Sequence, residues 1–344
     1  MISLIMPVGD KFDKYTLFIQ KHIKELYPDE SKVELVICDD KDISLGEKYN
    51  KAVKLSKGEK IILIHNDMVL KPGFIELMDK YITSNKIVTY TRIEPPIYPD
   101  EYPGKIIQNF GYDLEDFDYN AFKNFEINNE VIKGGSQIFF GCLKKDYIGF
   151  DGETFKMFCE DDDIHLRYDL GSFERIICGA QVYHLVSKTS RKGDYQPIEH
   201  NSNINFIRKW GFRKSQYNKK YDIGIKIKGG TSSLLEFLEP WCSNILLDDE
   251  MQVITSHYID KEQKNTPFNL SKKILSTPFQ SLENEIIIEI DQKTFNQQDY
   301  LYLQQISDII YDNGELGYFE LGNLKITINS MNEYQKNLIF IENP

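Results

Sequence analysis

Ile61-Ile62-Leu63-Ile64-His65-Asn66-Asp67 decides how the first half of this chain is read. Four consecutive apolar residues suit a short strand buried on both faces, as in a parallel sheet covered by helices. The strand delivers an acidic residue to its carboxyl end. A carboxylate there, Asp67, either holds a divalent ion through oxygen, which suits Mg2+ or Mn2+, or is a solvated turn residue.

The flanking segments repeat the pattern. Ile2 to Met6 is a second apolar run, Tyr15 to Leu26 has apolar residues at helical spacing, and Val33 to Cys38 is a strand ending in Asp39 and Asp40. Leu45 to Leu55 reads as a helix with Gly58 placed to stop it, ahead of the strand Lys60 to Ile64. Strand, helix, strand, helix, strand implies parallel pairing through right-handed crossovers. Ligands of such sheets sit beyond the carboxyl ends of the strands, where Asp39, Asp40 and Asp67 fall. A helix over Phe74 to Ile82 and a strand around Ile87 to Thr91 follow. Glu94 to Asn129, rich in Pro, Tyr, Asp and Asn, reads as an irregular excursion that shapes a pocket. Regular patterning resumes at Ser136 to Leu143. The remaining expectations here are a helix over Asp161 to Asp169 ended by Gly171, a strand over Ile176 to Leu185 and a short helix over Ile204 to Trp210.

A chain of 344 residues suits two domains. The boundary is placed near 220, giving domains 1–220 and 221–344, because Arg213 to Tyr221 is polar and Gly229 and Gly230 follow. The second domain reads as α+β. Its strands are Ile223 to Ile227, Glu285 to Ile290, Tyr318 to Leu321 and Leu324 to Ile328, the last two joined by a Gly322-Asn323 turn. A helix is expected over Tyr300 to Tyr311. Acceptor binding, homo-oligomer contact and attachment to a partner all stay open as its role. The net charge of −12 argues against a nucleic-acid partner. No run of about 18 apolar residues predicts a membrane span. The five cysteines stand singly in apolar stretches, without a CxxC pair, as buried thiols in a reducing compartment do. The expected location is the cytoplasm, or its membrane surface as a peripheral protein.

Two further elements carry chemistry. Glu160-Asp161-Asp162-Asp163 opens a helix, where one or two acids would complement the helix dipole. Four adjacent like charges exceed that need. His184 closes an apolar strand, as a structural histidine or a metal ligand, and Lys188 and Arg191 follow in a basic stretch. Gly134, Gly135 and Ser136 either line a substrate path or form a plain turn.

Taken in order, these elements resemble family 2 glycosyltransferases and their GT-A relatives over residues 1 to about 215. Leu4-Ile5-Met6-Pro7-Val8 looks like the opening strand, and Val36-Ile37-Cys38-Asp39-Asp40 like the nucleotide-binding strand. Asn50, Gly58 and the strand to Ile64 fit the segment leading to the metal motif. His65-Asn66-Asp67 stands where the family carries Asp-x-Asp, with His65 in place of the first acid. Gly149-Phe150-Asp151, Glu160 to Arg167, and Asn203 to Gly211 continue the match.

The resemblance implies an α/β fold of GT-A type: a Rossmann-like mixed sheet of a nucleotide-diphospho-sugar transferase, with the smaller α+β domain appended. It implies transfer of a sugar, with inversion, from a nucleotide-sugar donor, UDP-sugar favoured, to a hydroxyl of a carbohydrate or glycoconjugate acceptor, as in polysaccharide biosynthesis. Asp161 is then the general base, with Glu160 as the close alternative. Asp67 and His184 hold Mn2+ or Mg2+. Pro7, Asp39, Asp40, Asn50, Asn66, Lys188 and Arg191 bind the donor. An inactive nucleotide- or glycan-binding module, a nucleotidyltransferase and a retaining enzyme are the alternatives.

Overall fold

The continuous apolar runs become central strands and the periodic segments the helices that cover them. The structure, a computed structural model, describes residues 1–127, 130–135, 138–186, 194–214, 220–248, 252–276 and 280–331. Packing divides the chain into two compact units, Met1–Gln196 and Pro197–Pro344.

In the first unit the strands are β1 (Ile2–Pro7), β2 (Val33–Cys38), β3 (Lys60–Leu63), β4 (Met68–Leu70), β5 (Lys86–Glu94), β6 (Lys105–Ile107), β7 (Ile132–Lys133), β8 (Phe140–Leu143) and β9 (Glu174–His184). The helices are α1 (Lys14–Leu26), α2 (Leu45–Leu55), α3 (Phe74–Tyr81), α4 (Tyr119–Asn124) and α5 (Glu160–Leu170). The sheet runs β2-β1-β3-β8-β5-β9-β4, with β6 beside β5 and β7 beside β9. β1 lies parallel to β2 and β3, and β5 parallel to β9. β8 runs antiparallel to β3 and β5, and β4 antiparallel to β9. The sheet is thus mixed, and every residue of β1 is buried, as a central strand requires.

Local chemistry sets the helix starts. Asp13 accepts from the Tyr15 N–H at the head of α1, and Ser44 and Glu47 form a capping box on α2, each cap worth about 1 kcal/mol. Gly58 has a different job from the expected helix stop. α2 already ends at Leu55, and the chain passes so close to β1 that a Cβ at Gly58 would lie 2.5 Å from Ser3 Oγ. The ladder between β5 and β9 contains a bulge: Tyr90 faces Cys178 but Thr91 faces Gln181, so β9 spends two extra residues, Gly179 and Ala180.

The second unit contains α6 (Gln196–Trp210), β10 (Ile223–Lys228), α7 (Ser232–Leu238), β11 (Asn244–Leu247), α8 (Gln252–Glu262), α9 (Leu270–Lys273) and β12 (Ile274–Ser276). It continues with β13 (Ile286–Asp291), α10 (Gln297–Gln304), α11 (Ile306–Asn313), β14 (Gly317–Leu321) and β15 (Leu324–Ile328). Its division from the first unit falls at the first residue of α6, between Gln196 and Pro197, where a boundary near 220 was expected. Ile207 of α6 belongs to the second core, Arg208 Nη2 meets Glu239 Oε2 at 2.7 Å, and Lys220 donates to the Arg208 and Lys209 carbonyls at 2.9 Å each.

The sheet order is β12-β11-β10-β13-β15-β14, the first four strands parallel and the last two antiparallel. Parallel strands joined through helices make this unit α/β, where α+β was expected. One face carries the core: Ile223, Ile225 and Ile227 are buried while Lys226 and Lys228 are exposed. The expected single helix over Tyr300 to Tyr311 is two, interrupted at Gln305. All five cysteines are buried free thiols. No helix among the described residues is long and apolar enough to cross a membrane.

Candidate metal centre and the cleft beside it

Strand register assembles the site. β3 ends at Leu63, so His65 emerges just beyond the carboxyl edge of the sheet. The β4–β9 ladder pairs Met68 with His184, and the Asp67 carbonyl accepts from the Leu185 N–H at 2.9 Å. Ligand atoms of His65, Asp67 and His184 consequently lie within 4.8 Å of one another. The β5–β9 ladder pairs Ile93 with Tyr183 and so sets Glu94 beside His184, whose Nδ1 meets Glu94 Oε1 at 2.7 Å. His184 Nε2 then faces Asp67 Oδ1 at 3.5 Å, an ion-pair contact too long for a good hydrogen bond. Glu94 is itself held by Arg92 Nη1 at 3.3 Å and Lys105 Nζ at 3.6 Å.

Burial disfavours every charge in this group, and the shifts record where neighbours overcome it. Burial alone would lower the His184 imidazole, but the Asp67 and Glu94 carboxylates raise it to about 9. Burial alone would raise the Asp67 carboxyl, but His184 takes it down to about 2. At His65 burial dominates and lowers the imidazole to about 4. His65 is therefore neutral at pH 7, the form that ligates metal.

The residues fit a divalent ion. Asp67 Oδ1 and His65 Nε2 are buried and have no hydrogen-bond partner among the described residues. Leaving such groups unsatisfied costs about 1–3 kcal/mol each, and a cation would satisfy both. The Glu94–His184 contact is the carboxylate–imidazole arrangement that orients metal-binding histidines.

A cleft of about 640 Å³ adjoins the group, with Arg92, Tyr102, Gly134, Gly135, Phe139 and Asp161 on its walls. Phe139 touches both. Its ring centroid is 4.6 Å from that of His65 and 5.7 Å from that of His184, and the Arg92 guanidinium lies 5.1 Å from it.

Asp161 reaches the cleft from the first turn of α5, which is entered through two consecutive left-handed residues, Phe158 (φ 68°) and Cys159 (φ 64°). Non-glycine residues in that region cost about 1–3 kcal/mol each. The four acids of this turn have separate surroundings. Asp163 is fully buried and pairs with Arg167 Nε at 2.8 Å. Glu160 is buried close to Tyr49, whose hydroxyl is pushed up by burial first and then by neighbouring charges that include Glu160 and Asp67. Tyr49 stacks on His65 with centroids 6.1 Å apart, so the acid turn and the imidazole share a neighbour.

The expected donor residues are more scattered. Asp39 closes β2, two strands from β3 and so about 10 Å away along the same edge, where it contacts Lys11 Nζ at 3.3 Å. Asp40 pairs with Lys51 at 2.7 Å. Pro7 ends β1 opposite Cys38. Asn66 donates to Thr16 Oγ1 at 2.8 Å, which ties it to α1. Asn50 is occupied elsewhere: its amide donates to the Phe150 carbonyl and accepts from the Phe150 N–H and the Tyr147 hydroxyl, each at 2.8 Å. It clamps the segment before α5. Lys188, Arg191 and Ser136 lie outside the described residues. The expected site residues do not include Glu94, Arg92 or Phe139, and His65 enters only as the replacement for the first acid of the motif. The signal in the sequence is the place of His65 at the first position of the Asp-x-Asp motif.

No protein-family model matches the sequence, and no curated protein matches it. Among solved structures, the crystal structure of GalNAc-T7 with UDP, GalNAc and Mn2+ is similar, with a TM-score of 0.42 and 9% identity, over 62% of this chain and 49% of that one. The chain spans about half the length of that structure.

Proposed function

We propose that the first unit is a metal-dependent glycosyltransferase that moves a sugar from a nucleotide-sugar to a hydroxyl acceptor. The observation that carries this reading is the His65–Asp67–His184 group at the carboxyl edge of a parallel-rich sheet, one aromatic ring away from a cleft bearing Asp161. The ordered sequence resemblance supports it independently.

His65, Asp67 and His184 would hold the ion. A set with two imidazole nitrogens suits Mn2+ better than Mg2+, which prefers oxygen and water. When bound, the ion supplies charge neutralisation for a departing nucleoside diphosphate. The protein does the rest. Glu94 fixes the His184 ring, and Asp39 offers a carboxylate for the ribose or base of the donor. Asp161 takes the proton of the attacking hydroxyl, a contribution of about 10²–10⁴ in rate. A single displacement, with the acceptor oxygen entering opposite the departing diphosphate, would invert the anomeric carbon.

The test combines binding and turnover. UDP should bind the full chain more tightly with Mn2+ than with EDTA, and a panel of UDP-sugars with Mn2+ should yield transfer or donor hydrolysis. Asp161→Asn should keep Mn2+-dependent UDP binding and lose at least 100-fold in turnover. Near-normal turnover in that variant removes the base assignment, and metal-independent UDP binding removes the centre.

A further inference from the structure

Arg92 is 8% exposed, yet it stands on the wall of the same cleft as Asp161. Its guanidinium has two edges. Nη1 faces Glu94, and Nη2 donates to the Tyr102 hydroxyl, while Nε has no hydrogen-bond partner among the described residues. The edge left after Glu94 is therefore the Nε–Nη2 fork, whose one occupant is a neutral phenol on a side chain 46% exposed at the cleft wall. That fork matches two oxygens of a carboxylate or phosphate, which would accept from both nitrogens where the phenol accepts from one.

The charge around the cleft agrees. Lys133 also lines it and has no ion pair among the described residues, while Glu94 is shared by Arg92, Lys105 and His184. Arg92, Lys105 and Lys133 against Glu94 and Asp161 leave a positive balance in a chain of net charge −12. Phe139 and Glu94 each lie against both Arg92 and His184, while Arg92 itself lines the cleft that holds Asp161.

We infer that the cleft receives an acceptor bearing an oxyanion, a phosphate ester or a carboxylate, gripped by the Nε–Nη2 edge of Arg92 after displacement of the Tyr102 hydroxyl and drawn in by Lys133. The acceptor role rests on the glycosyltransferase reading; the anion site itself does not. A neutral sugar hydroxyl would leave the fork half used.

The experiment measures binding of glucose, glucose 6-phosphate and glucuronate to the full chain in EDTA, by ligand-observed NMR competition. At least one anionic sugar should bind tenfold or more tightly than glucose, and which of the two does so identifies phosphate or carboxylate. Arg92→Lys keeps the charge opposite Glu94 but has no fork, and should reduce the preference to under threefold. Lys133→Ala, at an exposed position, should weaken the anionic sugar a few-fold and flatten its salt dependence. Tyr102→Phe should leave the preference equal or larger. Equal binding of all three sugars overturns the inference, as does a preference that survives Arg92→Lys. UDP with Mn2+ forms a separate arm: if Arg92→Lys weakens UDP but not the sugar anion, the fork serves the donor and the acceptor assignment is wrong. Because the sugar arms contain no metal and no donor, loss of Mn2+-dependent UDP binding would sink the function proposal without touching them.

Discussion

Lys220 offers a quantitative test of how the second unit is built. Its ammonium is fully buried, with Nζ donating to the Arg208 and Lys209 carbonyls at 2.9 Å, and burial lowers it from 10.5 to about 7. Below pH 7 the folded and unfolded chains both carry the proton, and the whole penalty for a buried charge is present. Between 7 and 10.5 the unfolded chain binds more protons than the folded one, so stability rises with pH, by up to about 1.4 kcal/mol per unit. An opposing group limits the window. Burial raises the Cys242 thiol from 9.0 to about 12, so from about pH 8.5 upward the unfolded chain loses that proton first, which offsets the Lys220 gain and levels the curve. From pH 7 to 8.5 Lys220 should dominate, with a gain of about 2 kcal/mol. Both tryptophans, Trp210 and Trp241, lie in this unit, so urea denaturation followed by fluorescence reports its unfolding. Lys220→Met should abolish the slope. A wild-type midpoint that stays flat or falls over that window would refute the burial argument, and so would an unchanged slope in the variant.

Three other perturbations bear on the first unit. Glu94→Gln removes the charge that orients His184 and should weaken Mn2+ binding about 10- to 100-fold by calorimetry; an affinity within twofold of wild type would show that the contact is only structural. His65→Ala should weaken Mn2+ at least as much, whereas binding retained by Asp67 and His184 alone would restrict the centre to those two. Asn50→Ala should lower stability by about 1–3 kcal/mol through its lost hydrogen bonds and leave UDP affinity unchanged; a selective loss of UDP binding would return Asn50 to the donor site.

The first five elements are legible within a residue or two because their signals are local. β1 and β3 are buried on both sides and β2, at the sheet edge, is partly buried, so their sequences are nearly all apolar, and α1 and α2 carry their own caps. β4 escapes because three residues, Met68 to Leu70, have no period, and only the ladder with β9 makes them a strand. β11 and β12, of four and three residues, escape for the same reason, and with them the parallel character of the second sheet. The site divides similarly. Asp67, Asp161 and His184 stand at ends of elements, where position carries meaning. Glu94 acquires a role only through a register between residues 90 apart in sequence. Asn50 shows the converse, a residue picked out by its place in a motif that also makes packing contacts, with Phe150 and Tyr147.

The bulge at Gly179 and Ala180 acts as a spacer in the longest strand. On one side of it, Ile176 and Ile177 brace β7, next to the glycines of the cleft; on the other, His184 meets Glu94. Had the ladder run on unbroken from Tyr90 and Cys178, Val182 would stand opposite Glu94 and the imidazole would overshoot by two residues, about 7 Å. The length of the bulge, two residues, therefore sets which side chain of β9 Glu94 meets.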